Sequence, residues 1–456
     1  MRNKFILICL LTAILILSFA FAGCDTGTGT GSSEPASTAA ESKAEGETID
    51  FDGVSYPKLE VANKNVKFLV HWDPNSPSYA SHIERIKSVY DIDLETVRAT
   101  YTQLPTKLAS LQAAGDAPDV FMHYNAGFPS MFAKDMFLPV DDFVDFDDPF
   151  WASSKEASDK FLWNGKHYMA AGANISRVVW YNKSIFERNG LDTPLDLYDN
   201  GEWTWEALVD AAAELTQDTD SDGNVDQWGM AGNSFMSMME ASMDTAMVYM
   251  ENNEIINNVM GQDIDFIMNL AYQISNIDKS FTWDWQNYFR AGKLAMVLEG
   301  TWITSGDEVL TQMLNDEEIG FVPHPMFEGS TEDRYYAEYS GYLIPKGAKN
   351  IPGAQAFVKY MRAYGRSDRS KEIFEESAIN DGWSERMLEF YADLNYGSVP
   401  VLTGKVTATC ADSLRFAWEP FRRMQDGNES WAQMKEEFHP LYQAEIDKEK
   451  ANMNNG

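Results

Sequence analysis

Three places in this sequence set an aromatic side chain beside a carboxylate or an amide. The pairs are Trp72 with Asp73, Tyr124 with Asn125, and Trp302 with Glu299. A pyranose ring has an apolar face of C–H bonds and an equator of hydroxyl groups, so a flat aromatic ring suits its face. Planar carboxylates and amides suit its edge, because they can make paired hydrogen bonds to adjacent hydroxyls. These residue types therefore predict a binding site for a hydroxyl-rich ligand of the sugar class.

Two of these pairs follow strands of a predicted α/β pattern. Short β-rich runs alternate with stretches whose apolar residues recur at helical spacing. The predicted order is strand 66–70, helix 79–90, strand 94–97, a helix striped by Leu104, Leu108 and Leu111, and strand 120–122. Such alternation indicates a parallel sheet with right-handed crossovers, and ligands bind beyond the carboxyl ends of its strands. We therefore expect the first two aromatic–polar pairs to share one crevice.

The third pair follows a different apolar run. Residues 294–298 are predicted to form a buried strand, and Glu299 and Trp302 stand at its carboxyl end. The sequence then predicts a helix that begins at this point and carries Val309 and Leu310. This arrangement indicates a second strand-end site in a second α/β unit.

Catalytic signatures are absent from the sequence. It contains no Gly-x-Ser-x-Gly elbow, no His-Glu-x-x-His, no Walker loop and no Cys-x-x-Cys, and its six histidines are scattered. We therefore predict that the protein is not an enzyme. One enzyme class stays open, because the two carboxylates of a glycosidase have no fixed spacing in sequence. Such an enzyme would cleave an oligosaccharide, whereas a binding protein would release it intact.

An acidic loop has the spacing of a calcium site. Its residues match positions 1, 3, 5, 6 and 9 of a calcium-binding loop, namely Asp218, Asp220, Asp222, Gly223 and Asp226. Position 12 is Gly229, so the usual bidentate glutamate is missing and a distant carboxylate or water would have to replace it. A structural calcium ion is the only metal that the sequence suggests, and no cofactor is otherwise required. The alternative is a solvated acidic turn after helix 205–215.

The N-terminus has the features of a secretion signal that ends at a cysteine. Arg2 and Lys4 precede an apolar run at 5–21, and Ala22-Gly23 leads to Cys24. This arrangement resembles a bacterial lipoprotein signal. The resemblance implies removal of residues 1–23, acyl chains such as palmitate on Cys24, and a lipid-anchored protein on the outer face of the cytoplasmic membrane. The alternative is an uncleaved membrane helix, since the apolar run lies at the short end of what spans a bilayer.

Residues 24–48 would provide the lipidated cysteine and a flexible tether. This segment consists largely of Gly, Ser, Thr, Ala and Glu, so it cannot bury enough apolar surface to fold. As a flexible coil it would span about 25–30 Å on average. The roughly 400 residues that follow are too many for one hydrophobic core and suit two large lobes.

The net charge of the chain limits the kinds of partner that it can bind. The formal net charge is −34, and loss of Arg2 and Lys4 with the signal would change it to −36. Such a surface repels nucleic acid and anionic lipid headgroups, and its simplest role is solubility.

The cysteine content indicates how the fold is stabilised. Cys410 would remain as a free thiol, because Cys9 leaves with the signal and Cys24 carries lipid. We therefore expect no disulfide and a fold that depends on its core.

Four further stretches, in order along the chain, carry a family resemblance. They are Lys107-Leu108 through Gly115-Asp116-Ala117-Pro118-Asp119-Val120; Asn164-Gly165-Lys166 with Tyr181-Asn182-Lys183 and Phe186; Gly292-Lys293-Leu294-Ala295-Met296 with Gly300-Thr301-Trp302; and Ile344-Pro345-Lys346-Gly347 with Asn350. Together they resemble the extracellular solute-binding proteins of family 1, the sugar-binding subunits of ABC importers. The similarity covers essentially the whole chain beyond the tether.

The resemblance implies an α/β fold in the form of a two-lobed, periplasmic-binding-protein-like clamshell. Each lobe would be a mostly parallel sheet flanked by helices, and the chain would cross between the lobes several times. Lobe 1 would comprise residues 49–173 and 336–382. Lobe 2 would comprise residues 178–335 and 383–456.

The resemblance also adds candidate ligand contacts. Trp302 and Trp418 match tryptophans that stack on sugar in the maltose-binding branch of the family. Asn174 and Arg177 fall in the first crossing, a segment that touches ligand in that branch, and Arg177 would indicate either an acidic sugar or only a salt bridge. Phe235 precedes a methionine-rich stretch that resembles a pliable binding surface, with core packing as the alternative.

The expected function is carbohydrate binding in an interlobe cleft, followed by delivery to an ABC importer. The bound sugar would bridge both lobes and stabilise a closed form. The permease and the ATPase would be separate polypeptides. Two alternatives stay open: a cell-surface enzyme that acts on glycosides, and a sugar receptor that feeds a sensor kinase.

Overall fold

The computed structural model describes residues 48–51, 54–71, 73, 77–124, 127–396, 401–402, 406–407, 413–427 and 429–454. Within these ranges strands and helices alternate along most of the chain. The strands are β1 (Thr48–Phe51), β2 (Val54–Pro57), β3 (Asn65–Val70), β4 (Asp93–Arg98), β5 (Val120–Tyr124), β6 (Phe137–Leu138), β7 (Ala170–Asn174), β8 (Arg177–Asn182), β9 (Trp228–Ala231), β10 (Val248–Glu251), β11 (Glu254–Asn257), β12 (Phe281–Thr282), β13 (Leu294–Gly300), β14 (Ile319–Pro323), β15 (Arg334–Tyr335), β16 (Glu338–Pro345), β17 (Val401–Leu402) and β18 (Val406–Thr407).

Helices cover the sheets. They are α1 (Pro77–Tyr90), α2 (Leu104–Ala113), α3 (Ser130–Ala133), α4 (Ala152–Asp159), α5 (Lys183–Asn189), α6 (Pro194–Asn200), α7 (Trp205–Glu214), α8 (Phe235–Ser242), α9 (Gln262–Tyr272), α10 (Trp285–Arg290), α11 (Glu308–Asn315), α12 (Ile351–Arg366), α13 (Asp368–Asn380), α14 (Glu385–Tyr396), α15 (Ser413–Gly427) and α16 (Trp431–Asn454). Among the described helices, none is both long enough and apolar enough to cross a membrane.

The first large sheet has the strand order β4–β3–β5–β16–β6, and β7 also pairs with β16. β3 lies parallel to β4 and to β5, whereas β16 is antiparallel to β5, β6 and β7. Every strand except β16 therefore runs in the same direction. Phe68 and Val70 of β3 pack into one core cluster and Leu69 into another. Both faces of this strand are buried, which explains its nearly continuous apolar sequence.

The second large sheet has the order β12–β9–β13–β8–β14. β9 lies parallel to β12 and β13, and β8 is antiparallel to β13 and β14. Here too a single strand runs against the others. All seven residues of β13 are buried, as its apolar run predicts.

The chain passes between the two sheets next to their reversed strands. β7 ends in the first sheet at Asn174 and β8 begins in the second at Arg177, so Ile175 and Ser176 form the first crossing. The second crossing lies between β14 and β16, and β16 begins at Glu338. Because β8 and β16 are antiparallel to their neighbours, their first residues lie at the edge where the neighbouring strands end.

Separate clusters of buried side chains accompany the two sheets. Two clusters cover the faces of the first sheet, and a larger one surrounds the second. The predicted lobe 1 ends at residue 382 and therefore includes α13. In the structure, however, Phe374 and Ala378 of α13 pack with the cluster of the second sheet. The exact lobe boundaries stay a prediction.

Most predicted elements of the first α/β unit are confirmed within two residues, as β3, α1, β4, α2 and β5. The predicted start of the helix after β13 is wrong. Thr301–Thr304 form a 3-10 turn, and α11 begins only at Glu308. The carboxylate of Asp307 caps this later start by accepting hydrogen bonds from the N–H groups of Val309 and Leu310, both at 3.1 Å.

Candidate functional site

A largely buried arginine joins the two sheets. Arg177 donates a hydrogen bond from Nη2 to Glu338 Oε1 at 2.8 Å and one from Nη1 to Glu299 Oε2 at 3.3 Å. Glu338 begins β16 of the first sheet, and Glu299 lies in β13 of the second. The side chains are 17 % (Arg177), 20 % (Glu338) and 7 % (Glu299) exposed. One cation is therefore held between two carboxylates, one from each sheet.

Strand register explains why these three side chains meet. Arg177 stands opposite Gly300 at the end of β13, and Glu338 stands opposite Asn174 at the end of β7. The first residue of each reversed strand thus reaches the carboxyl-end edge of its own sheet. The first crossing is only Ile175 and Ser176, which keeps the two edges next to each other.

Further polar groups fix both carboxylates. Asn233 follows β9 and donates to Glu299 Oε1 from its backbone nitrogen at 2.9 Å and from Nδ2 at 2.8 Å. Ser176 Oγ donates to Glu338 Oε2 at 2.7 Å. Each carboxylate therefore has a charged partner on one oxygen and a neutral donor on the other, and this pairing holds its orientation.

An aromatic platform lies beside this cluster. The Cζ atom of Arg177 lies 4.1 Å from the centroid of the Trp302 ring. The ring also lies over Gly300, where an added Cβ would come within 1.9 Å of Trp302 Cζ3. Trp302 nevertheless remains 46 % exposed. It presents a flat apolar surface next to carboxylates, which is the combination that suits a pyranose.

Two tyrosines on the side of the first sheet lie near the Arg177 cluster. Tyr101 follows β4 and stacks on His123 of β5, with ring centroids 4.9 Å apart and planes at 24°. Tyr101 is 42 % exposed, and its partial burial raises its pKa, with the Glu338 carboxylate acting in the same direction. Burial also raises the pKa of Tyr336 to about 12, again with a contribution from Glu338. Both hydroxyls are therefore neutral donors within electrostatic reach of the cluster.

Comparison with known proteins identifies the family. The family model for bacterial extracellular solute-binding proteins matches residues 78–364, which is more than half of the chain. The chain belongs to this family. Its location is therefore extracytoplasmic, and the family is one of binding proteins. No curated protein matches the sequence.

Solved structures show the same fold at low sequence identity. The sugar-binding protein MalE from Xanthomonas citri is 14 % identical with a TM-score of 0.62, over 86 % of this chain and 100 % of that one. The GacH receptor of Streptomyces glaucescens, solved also with acarbose, is 17 % identical with a TM-score of 0.61, over 84 % and 98 %. UgpB from Mycobacterium tuberculosis, in complex with glycerophosphocholine, is 14 % identical with a TM-score of 0.62, over 85 % and 100 %. This solute-binding protein has the two-lobed, α/β periplasmic-binding-protein fold that the sequence predicts.

The structure brings four of the predicted site residues together. Arg177, Glu299 and Trp302 form the cluster, and Asn174 pairs with Glu338 across the strands. The Asn174 Oδ1 atom accepts a hydrogen bond from the hydroxyl of Tyr391 at 3.3 Å. The short first crossing accounts for this grouping, because it sets the end of one sheet against the start of the other.

Other predicted contacts have different outcomes. Asp73 forms an ion pair with Arg98, with Oδ2 and Nη1 3.2 Å apart. Trp72 and Asn125 lie outside the described residues. Tyr124 ends β5 and Trp418 lies in α15, but their side chains are outside the described part of the structure. Their ligand contacts stay predictions.

Phe235 lies in the core, which corrects the prediction that it lines a cleft. The residue is fully buried at the start of α8. Its ring packs against Phe281 and Phe421, with centroids 5.2 and 4.8 Å apart. A methionine-rich helix next to the second sheet fills core volume here, as the alternative interpretation held.

The acidic loop holds three of its four aspartates close together. One carboxylate oxygen from each of Asp218, Asp220 and Asp222 lies within 4.8 Å of the others, and all three residues are exposed. Asp226 is engaged differently, because its Oδ2 accepts from the backbone N–H of Thr219 at 3.1 Å and its Oδ1 from the hydroxyl of Thr219 at 2.5 Å. Calcium binding stays a prediction.

Glu338 and Tyr101 were missed by the sequence analysis. Tyr101 follows β4, so the rule that selected the ends of β3 and β5 would also have selected it. Glu338 starts a strand instead of ending one, and only knowledge that β16 runs in reverse reveals that this start lies at the site.

Proposed function

We propose that this solute-binding protein binds a neutral carbohydrate at the Arg177 cluster and delivers it to an ABC importer. The observation that carries the proposal is the half-exposed Trp302 ring beside two oriented carboxylates. Sugar-binding structures with the same fold, such as MalE, support the ligand class. Residues of both sheets line the cluster, so a ligand that contacts both would favour their closed arrangement.

The charges of the cluster favour a neutral ligand over an acidic sugar. Arg177 already binds Glu299 and Glu338 through Nη1 and Nη2, so two carboxylates compensate its charge, and only its buried Nε has no hydrogen-bond partner among the described residues. The cluster carries one positive and two negative charges, and the whole chain has a formal charge of −34. A uronate would be repelled, whereas hydroxyl groups can donate to the carboxylates.

A thermal-shift screen tests the ligand class. The panel includes neutral mono- and oligosaccharides, uronates, and glycerophosphocholine, the ligand of the similar UgpB structure. We expect a neutral saccharide to raise the melting temperature, because a ligand that binds only the folded state stabilises it. A response to uronates or glycerophosphocholine alone would overturn the proposal. Chromatography of the incubated saccharide then distinguishes release of intact ligand from cleavage by an enzyme.

Trp302→Ala should weaken binding of the saccharide found in that screen by roughly tenfold to a hundredfold. Stacking a ring on a sugar contributes on the order of 1–3 kcal/mol, by analogy with bases on aromatics, and each ~1.4 kcal/mol is tenfold in affinity. Calorimetric titration measures the loss. Phe266→Ala is the matched control, because Phe266 is an aromatic residue with the same exposed fraction of 46 %, and its ring packs on Phe327 of the cluster around the second sheet.

A second variant moves the ring without removing it. Gly300→Ala places a Cβ where the Trp302 ring now lies, so the ring must leave its position over the strand end. The φ angle of Gly300 is −77°, which alanine adopts freely. We expect weaker binding with an almost unchanged melting temperature. Full affinity in both the Gly300 and the Trp302 variants would remove this ring from the site.

Lipid anchoring at Cys24 is a further part of the proposal. The extracellular family and the signal-like N-terminus support it, and two or more acyl chains give stable attachment where one gives a marginal hold. Wild-type protein should sediment with membranes and incorporate labelled palmitate. We expect Cys24→Ala to abolish the labelling, with Cys410→Ala as the control that retains it. Labelling that persists in Cys24→Ala contradicts the assignment.

Structural calcium is proposed for the loop that contains Asp218, Asp220 and Asp222. Three carboxylate oxygens at this separation provide hard ligands. A chelator should lower the melting temperature, and Asp220→Ala should remove that sensitivity. Asp192→Ala, an exposed aspartate outside the loop, should retain it. Identical melting curves of wild-type protein with and without calcium would leave only an acidic turn.

The partner in the membrane decides between transport and sensing. A receptor that feeds a sensor kinase would use the same ligand site. We expect the ABC permease to be recovered after crosslinking of intact cells. Recovery of a sensor kinase in its place would favour the receptor.

A further inference from the structure

A cavity in the first sheet's unit shares no lining residue with the Arg177 cluster. It has a volume of about 270 Å³ and lies between α4, α12 and the paired strands β7 and β16. Small residues on β7 leave this space open. An added Cβ at Gly172 would meet no atom within 4 Å.

Arg362 of α12 is one of the residues that line this cavity, and it carries two unsatisfied donors. Its Nε and Nη2 atoms are buried, and neither has a hydrogen-bond partner among the residues that the structure describes. These two nitrogens lie on the same edge of the planar guanidinium. That edge presents two parallel N–H groups, the geometry that binds two oxygens of a carboxylate or phosphate.

The charged neighbour of Arg362 is another cation. Arg366 lies one helical turn further along α12, where its Nη1 donates to the carbonyl oxygen of Phe150 at 2.8 Å and its guanidinium lies over the Phe150 ring. Burial, together with Arg366, lowers the pKa of Arg362 to about 10. The group stays charged at neutral pH, and a buried charge without a partner destabilises the fold.

A largely buried arginine without a carboxylate partner is unexpected in a chain with 70 acidic and 36 basic side chains. Carboxylates are abundant, yet within the described ranges none pairs with Arg362. Ser154 and Ser340 also line the cavity and offer hydroxyl donors, and among the described residues no carboxylate side chain lines it. The lining therefore provides donors and positive charge without a negative group.

We propose that this cavity binds a small oxyanion, the carboxylate or phosphate group of a small molecule, through the Nε and Nη2 edge of Arg362. The site is independent of the sugar-binding proposal. An anion here would join α12 to two strands: β7, which ends at Asn174, and β16, which begins at Glu338. Its binding should stabilise this part of the fold.

Anion titration of the mature chain tests the site. Inorganic phosphate and acetate are added separately, with chloride keeping the ionic strength constant. We expect at least one of them to raise the melting temperature in a saturable way and to give a matching calorimetric isotherm. A response to phosphate identifies a phosphate ligand, and a response to acetate identifies a carboxylate. Absence of a saturable response to both overturns the proposal.

Three variants locate the response. Arg362→Gln should abolish it, and should not lower the melting temperature in chloride, because the substitution removes an unpaired buried charge. Gly172→Val keeps the arginine but fills the cavity, so it should also abolish the response and serves if Arg362→Gln does not fold. Arg369→Gln removes an exposed arginine nearby in sequence and should retain it. Equal responses in wild-type protein and the two cavity variants would assign the anion to the surface and refute the site.

Discussion

Replacing Arg177 by methionine should lower the free energy of unfolding by about 3 kcal/mol at neutral pH. The substitution leaves Glu299 and Glu338 facing each other without the cation that both of them bind. Removal of one partner of a buried ion pair typically costs about 3–5 kcal/mol. We expect the lower end, because Asn233 still donates to one carboxylate and Ser176 to the other.

Urea unfolding of both proteins measures this difference. Arg369→Met is the matched control, since Arg369 also pairs with two glutamates, Glu372 and Glu376, but on the surface. Exposed pairs contribute about 0–1 kcal/mol, so this variant should unfold almost like the wild type. A large loss in the control, or none in Arg177→Met, would contradict the role of the buried cluster.

The cluster also defines what the sequence could predict about the site. Glu299 and Trp302 were found because they follow an apolar strand, and the carboxyl ends of parallel strands form sites by a general rule. Arg177 came from the family resemblance, and its partner was left open between an acidic ligand and a salt bridge. Only the three-dimensional contacts with Glu299 and Glu338 assign it to the salt bridge.

Glu338 was beyond sequence reasoning for a topological reason. Local periodicity predicts that a strand exists, but not its direction within the sheet. β16 runs against its neighbours, so its first residue lies where the others end. The direction depends on the chain's return from the second sheet, which is a long-range property.

Phe235 and Trp302 show why the sequence alone does not predict whether a single aromatic residue lies at the site or in the core. Both follow strand ends, Phe235 after β9 and Trp302 after β13. Trp302 lies in a short 3-10 turn over a glycine and remains half exposed, whereas Phe235 begins α8 and turns toward Phe281 and Phe421. The turn or helix that follows the strand decides which way the ring points. How that turn or helix packs depends on distant residues and cannot be predicted from the local sequence.

A fall in pH should destabilise the segment that carries Glu338, because the buried His324 then takes up a proton. This histidine is fully buried between β14 and β15, and burial lowers its pKa to about 4 from an ordinary value of 6.5. Its Nε2 atom accepts a hydrogen bond from the backbone N–H of Tyr336 at 3.1 Å, so that nitrogen must be unprotonated. Nδ1 then carries the proton, next to the carbonyl oxygen of Pro325 at 3.3 Å.

The depressed pKa sets the direction of the pH effect. The unfolded chain binds a proton to His324 more readily than the folded protein does, so its contribution to stability is complete above about pH 6.5 and is lost as the pH falls toward about 4. A difference of roughly 2.5 pKa units corresponds to about 3 kcal/mol. Glu240 acts oppositely, because burial raises its pKa to about 7, so the two contributions must be separated by mutation.

His324→Gln provides that separation. Glutamine keeps an acceptor for Tyr336 but does not titrate, and Glu240 is the same in both proteins. Unfolding free energies across this pH range should therefore fall more steeply toward acid in the wild type than in the variant. Because Tyr336 lies two residues before Glu338, protonation of His324 also loosens the start of β16, and saccharide affinity should fall in acid with the same pH dependence. Parallel stability curves for the two proteins would show that His324 is not the titrating group.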